Sequence, residues 1–149
     1  MKKFLVLIAA IGLSLHSFAY DPINEKLIES FKSSFPRAQQ VSWQELDKTF
    51  VVTFVEENIR ARAFFNKEGN LVQLIRYYKE QQLPFSVLHT IQKHFSGKKI
   101  FGVVEVTTTN AEKNMETEYH VKLEDGRSWT TVKIYASGHS EITQRLRKV

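Results

Sequence analysis

The sequence predicts an α+β fold of two tandem units, each one helix packed on a four-stranded antiparallel meander sheet. Three observations predict it. Residues 50–76, FVVTFVEENIRARAFFNKEGNLVQLIR, fall on residues 119–145 when shifted by 69 positions. Phe50, Val52 and Phe54 then lie over Tyr119, Val121 and Leu123, and Gly69 lies over Gly138. The apolar stripe Leu27, Ile28, Phe31 and Phe35 returns 60 positions later as Val87, Leu88, Ile91 and Phe95. Between the stripes, apolar and polar residues alternate in short runs punctuated by Gly, Asn and Asp, the pattern of hairpin-linked strands. A repeat of this period means that each unit is one supersecondary block.

Residues 1–19 read as a Sec-type signal peptide. Lys2 and Lys3 form the basic start, residues 4–15 the apolar stretch, and Ser17 and Ala19 the small residues before cleavage. The apolar run is short of the ~20 residues that span a bilayer, and no later segment is longer. The expected location is therefore periplasmic or secreted. Removing Lys2 and Lys3 lowers the formal charge from +5 to +3, a mild excess without the basic stripe of a nucleic-acid binder. The chain has no cysteine, which excludes disulfides, thiol catalysis and cysteine-held metals. Burial alone must then hold the fold.

Unit one spans residues 20–80. Asp21 and Pro22 suit a helix N-cap and first position, Ile23, Leu27, Ile28, Phe31 and Phe35 recur at helical spacing, and Pro36 ends the run. Val41 and Trp43 mark a first strand, with both side chains toward the core. A turn at Asp47-Lys48 leads to the alternating strand of Phe50, Val52 and Phe54. Glu57-Asn58 makes a tight turn, Ile59–Asn66 a third strand, and Leu71–Tyr78 a fourth. A polar linker, residues 79–82, leads into unit two, residues 81–149. Its helix follows Leu83-Pro84 and stops at Gly97. The growth of the offset from 60 to 69 predicts a longer hairpin between this unit's first two strands, 100–109 and 116–123. Strands 127–136 and 141–147 complete it, with Gly126 and Gly138 supplying positive φ at the turns.

Short motifs carry a family resemblance. They are F-x-x-x-F-P from Phe31 to Pro36, V-S-W-x-E from Val41 to Glu45, F-x-N-K-E-G-N-L from Phe64 to Leu71, and L-P-x-x-V from Leu83 to Val87. Behind a signal peptide, they resemble the PepSY-like family of exported bacterial proteins, the β-lactamase-inhibitor-like group. The resemblance covers the whole chain after the leader and implies tandem helix-plus-sheet units. The inhibitor that names the group grips an enzyme with the open face of its sheets, and domains of the PepSY type restrain proteases or serve as envelope interaction modules. A non-enzymatic interaction role is thus what the resemblance implies.

The residues themselves offer little for catalysis. His89 and His94 are five apart, about 140° round a helix, and the i,i+4 pair of a zinc helix is absent. His120 lies on a strand and His139 in a turn, both read as solvated. No nucleophile elbow or phosphate-cradling loop occurs. Glu56-Glu57 and Glu124-Asp125 pair carboxylates at hairpin ends, where they read as solvated. No metal, cofactor or catalytic residue is expected.

Strand alternation sorts the remaining side chains. Phe50, Val52, Phe54, Ala61, Ala63 and Phe65 face the first helix, leaving Val51, Thr53, Arg60, Arg62 and Phe64 on the other side. In the second unit His120, Lys122, Trp129, Thr131, Lys133 and Tyr135 share that open side. Aromatics interleaved with Arg and Lys are the residue types enriched in binding hot spots, so Arg60, Arg62, Phe64, His120, Trp129, Lys133 and Tyr135 form the expected partner-binding set. Two readings remain. One is an exported interaction module, such as an inhibitor or regulator, that binds a protein of the envelope or the exterior through this face. The other is a small-ligand or ion-binding envelope protein with a pocket between the units.

Overall fold

Thr49–Glu56 reads TFVVTFVE, and a run so rich in β-branched and aromatic residues favours extended backbone. Most of the chain follows this rule. The computed structural model describes residues 25–148, so the leader and the helix start at Asp21, Pro22 and Ile23 lie outside the described residues. The elements are α1 (Glu25–Ser34), β1 (Gln39–Leu46), β2 (Thr49–Glu56), β3 (Ile59–Asn66) and β4 (Leu71–Tyr78). After a short 3-10 turn (Glu80–Gln82) come α2 (Phe85–His94), β5 (Lys99–Thr109), β6 (Met115–Glu124), β7 (Ser128–Tyr135) and β8 (Ser140–Arg147). The eight strands form one antiparallel sheet in sequence order, with β4 hydrogen-bonded to β5.

Both helices cover the same face. Leu74 lies opposite Thr107, and Val103, two pleats along β5, lies opposite Val121, so register carries one face across the sheet. Under α1, Leu27, Phe31 and Phe35 bury against Val52, Phe54, Ala61, Ala63, Phe65 and Leu74. Phe31 meets Phe54 edge-on with ring centroids 5.2 Å apart, and Trp43 edge-on at 5.3 Å. Under α2 the core is almost wholly aliphatic: Val87, Ile91, Val103, Val121, Leu123, Val132 and Ile134. Gly69 at φ +81° and Gly138 at φ +84° occupy equivalent hairpin turns that a Cβ would strain.

Between the two apolar clusters the covered face turns polar. Arg76 Nη1 lies 2.6 Å from Glu105 Oε1, and the Tyr78 hydroxyl donates to Glu105 Oε2 at 3.0 Å. Arg76 and Glu105 are direct cross-strand partners on β4 and β5, and Tyr119 on β6 lies opposite Glu105. Burial and the nearby carboxylate push the Tyr119 hydroxyl up to about 12 and the Tyr78 hydroxyl higher still. Beside them Thr107 and Thr117 share a hydroxyl hydrogen bond of 3.0 Å.

Several expectations need correction. Val41 is 41% exposed rather than in the core, because the ladder slips between Gln39 and Ser42, where Gln40 takes φ +53°. That bulge breaks the alternation which was to place Val41 beside Trp43. Gly126 does not adopt positive φ. Its turn is built by Asp125, whose Oδ1 accepts the N–H groups of Arg127 and Ser128 at 2.8 and 2.7 Å. The carboxylates at the hairpin ends are not simply solvated: Glu57 pairs with Arg37, Asp125 with Lys98, and Glu124 with Lys148. The Lys98 ammonium, with the turn's N–H donors, holds the Asp125 carboxyl well below the usual carboxylate range. The polar linker is partly helical. The longer hairpin does occur, with β5 at 11 residues and β6 at 10.

Candidate functional site

The face of the sheet opposite the helices is built by the odd partners of the core residues. Each of β2, β3, β6 and β7 buries one alternating set under a helix and so turns its other set to this open side. Arg60, Arg62 and Phe64 stand there on β3, opposite Val55, Thr53 and Val51 of β2. The Arg62 guanidinium lies over the Phe64 ring, 5.5 Å from its centroid. Val51 faces the same side but is 1% exposed. It stands between Gln44 and Phe64 in the ladder, so this part of the open face is packed rather than bare.

On β6 and β7 the open side carries an ionic group. His120 and Lys133 are cross-strand partners, and both reach Glu118. His120 Nε2 lies 2.7 Å from Oε1 and Lys133 Nζ 3.0 Å from Oε2. Burial raises the affinity of the Glu118 carboxyl for its proton, but the hydrogen bonds from Lys133 and His120 outweigh this and hold it below its ordinary value. The same contact raises the Lys133 ammonium. Lys133 also lies 5.6 Å from the Tyr135 ring centroid, and the Tyr135 hydroxyl donates to Glu141 Oε1 at 2.7 Å, which pushes that hydroxyl upward. His120 is therefore paired, not free in solvent.

A third group lies at the end of the sheet where β7 begins. Phe101 meets Trp129 edge-on at 4.9 Å, Lys122 Nζ is 4.6 Å from the Trp129 centroid, and Lys148 Nζ is 4.5 Å from it. The structure thus puts all seven expected residues on one face, in three groups rather than one patch. Arg62 pairs with Phe64, His120 and Lys133 meet through Glu118, and Trp129 and Tyr135 stand at opposite ends of β7. Arg60 is exposed beside Tyr77. Four contributors escaped the sequence reading: Glu118, Glu141, Phe101 and Lys148. Glu118 shares the alternation of His120 and Lys122 and was legible by parity. Phe101 reaches the open side through a register shift between Ile100 and Gly102, and a glycine inside a strand is the signal for such a bulge.

Among the described residues, no group of three or more His, Cys, Asp or Glu is arranged to hold a metal ion, and no helix is long and apolar enough to cross a membrane. Cavities among the described residues include one of about 540 Å³ at the β6–β7 turn by Arg127 and Arg145. Another of about 640 Å³ lies at the C-terminal end of α2 by Phe95 and Lys98, and one of about 550 Å³ lies between α1 and β1 by Phe35 and Trp43.

No family model matches the sequence, and no curated protein matches it. Solved structures do match in fold. A BLIP-like protein from Bacteroides fragilis superposes with a TM-score of 0.65 at 17% identity, covering 87% of this chain and 89% of that one. A DUF2874 family protein from Bacteroides uniformis gives 0.60 at 15% identity, covering 83% and 88%. A candidate periplasmic protein from Bacteroides eggerthii gives 0.59 at 14%, also covering 83% and 88%. At these identities the likeness is one of fold: over most of its length this chain is built like a BLIP-like protein, with its helices on one face of an antiparallel sheet.

Proposed function

We infer that this chain is an exported, non-enzymatic interaction module that binds a protein of the cell envelope or exterior through the open face of its sheet. It is composed of a leader, residues 1–19, and two PepSY-like units, residues 20–80 and 81–149. One observation carries the reading: the uncovered face presents aromatic rings each set beside a cation, Arg62 by Phe64, Lys133 by Tyr135, and Lys122 and Lys148 by Trp129. Such pairs offer flat apolar area together with charge, which suits a protein partner more than a small molecule. The fold shared with a BLIP-like protein supports the same role, since the group it resembles is named for an inhibitor. The module then acts as an inhibitor or regulator by covering a surface of its partner.

The test is a mild crosslinking pull-down from the native envelope with the processed chain, run beside a Trp129→Ala/Arg62→Ala variant. The expected result is a protein recovered with the wild type and lost with the variant, while the melting temperature of the variant stays close to the wild type. Equal recovery with both would overturn the assigned face. A small ligand that raises the melting temperature of both forms alike would instead favour the ligand-binding reading.

A further inference from the structure

The end of the sheet formed by the β6–β7 turn, the start of β5 and the end of β8 has a property that the open face as a whole lacks. Its two carboxylates are spoken for, Asp125 by Lys98 and Glu124 by Lys148. Among the described residues, the cations Lys99, Lys122, Arg127, Arg145 and Arg147 gathered there have no carboxylate in ion-pair range. Register sets them on both sides of the sheet's end: Arg147 and Arg145 lie opposite Ser128 and the buried Thr130, on the helix side of the edge strand, whereas Lys99 and Lys122 lie on the open side, Lys99 opposite Glu124 and Glu124 opposite Trp129. Lys148 N donates to Arg127 O at 2.8 Å, which ties the chain's last described residue to the turn. Apolar side chains project at the same end on its open side. Phe101 is 62% and Leu146 48% exposed, and Leu146 lies opposite Trp129.

Charge on an edge strand has an ordinary use, since cations on β8 discourage another strand from pairing with it. That accounts for Arg145 and Arg147. It does not account for Lys99, Lys122 and Arg127, which belong to other segments, nor for leaving Phe101 and Leu146 bare among them. Cations surrounding exposed aromatic and aliphatic tips are the composition of a surface that lies in a bilayer interface, where rings sit at headgroup depth and Lys and Arg meet anionic phosphates. A protein partner would need carboxylates matched in position to cations spread over a turn and three strands. A fluid anionic lipid surface needs no such match.

We propose that this end of the sheet is a membrane-docking site for anionic phospholipid, which holds the protein at a bilayer surface. The rest of the open face, around Arg62, Phe64 and the Glu118 group, stays available to a partner. The site shares Phe101 and Lys122 with the Trp129 group of the open face, but Arg127, Arg145 and Arg147, the cations changed in its test, are not part of the protein-binding reading.

The test is co-sedimentation of the processed chain with phosphatidylglycerol-containing vesicles and with pure phosphatidylcholine vesicles. Three proteins are compared: wild type, Arg127→Gln/Arg145→Gln/Arg147→Gln, and the corresponding triple Lys variant. A cation near an anionic surface is worth about fivefold in partitioning, so the Gln variant should lose about a hundredfold on anionic vesicles. The Lys variant should keep its binding, and Phe101→Ser should weaken it further when combined with the Gln changes. Salt of about 0.5 M should weaken the wild type, because the interaction is between exposed charges. Equal binding to neutral vesicles would overturn the proposal, as would binding unchanged by the Gln substitutions. So would failure to sediment at all, which would leave the basic end as a contact for an acidic protein.

Discussion

Glu105 on β5 and Glu118 on β6 lie on adjacent strands but on opposite faces of the sheet, and each is held by more than one donor. Glu105, with a side chain 7% exposed, meets Arg76 and Tyr78 in the gap between the two helix-covered cores. Glu118, 31% exposed, meets His120 and Lys133 on the open side. Water is the difference between them. In the covered gap the Glu105 carboxylate is withdrawn from water even though Arg76 reaches it, so a partner lost from Glu105 is hard to replace. On the open side water can stand in for any member, which leaves the same kinds of group free to exchange one another for a partner's. The covered face therefore fixes the sheet, and the open face remains adaptable.

The sharpest way to break that contrast is to truncate one aromatic on each face. Phe54 is 1% exposed and packs against the rings of Phe31 and Phe35, so Phe54→Ala should cost about 3–5 kcal/mol in chemical denaturation. Phe64→Ala, on the next strand but the other face, should cost well under half as much. Equal losses would mean that the open face is as much a core as the covered one. Arg76→Met tests the gap directly. It strands Glu105 without its cation and should cost about 2–4 kcal/mol. Adding Glu105→Leu should restore part of the loss, because no carboxylate is then stranded although the Tyr78 hydroxyl loses its acceptor. A double variant no better than the single would show that the ion pair itself holds β4 against β5.

Alkali should act most strongly on the covered face, because the raised Tyr135 hydroxyl of the open face is held only by an exposed hydrogen bond. Tyr119 ionises at about 12 in the folded protein, against an ordinary value of 10.0. Tyr78 is displaced in the same direction. The folded chain thus holds protons that the unfolded chain has released. Stability from these hydroxyls is complete below about pH 10 and falls as pH rises toward 12 and beyond. Denaturation midpoints followed from pH 9 to 12 should decline, and the decline should shrink in Tyr78→Phe/Tyr119→Phe. A profile that is flat, or unchanged in the double Phe variant, would remove the gap from the alkaline response.

Much of this architecture was legible because it rests on period. Gly69 and Gly138 take the positive φ expected of hairpin turns, Ile59–Asn66 and Leu71–Tyr78 are the strands that alternation demands, and the seven candidate side chains share one face because parity is simple arithmetic. Where parity fails, the sequence reading failed with it. Val41 and Phe101 lie beside ladder slips that change which side they face, and only the second has a glycine neighbour to announce it. Gly126 misled for a different reason: Asp125 could build its turn through its own carboxylate, so positive φ was not needed. The polar gap was hidden because Arg76 and Glu105 lie 29 residues apart, and only the pairing of β4 with β5 makes them neighbours.

The smallest expected effect belongs to the open face and measures its freedom most directly. Glu118 is held below its ordinary value of 4.5, because hydrogen bonds from Lys133 and His120 overcome the opposing effect of burial. A depressed carboxyl contributes stability that is present above the ordinary value and is lost as pH falls through the lower folded one. A carbon-detected titration should place the Glu118 midpoint below 4.5, and Lys133→Met should move it upward. The denaturation midpoint near neutral pH should hardly change in that variant, because an ion pair this exposed to water and salt contributes little to folding. A large loss of stability on Lys133→Met would make the group a structural brace like Arg76 and Glu105, and would take it off the binding face. A shifted titration with unchanged stability is what a group held ready for exchange must show.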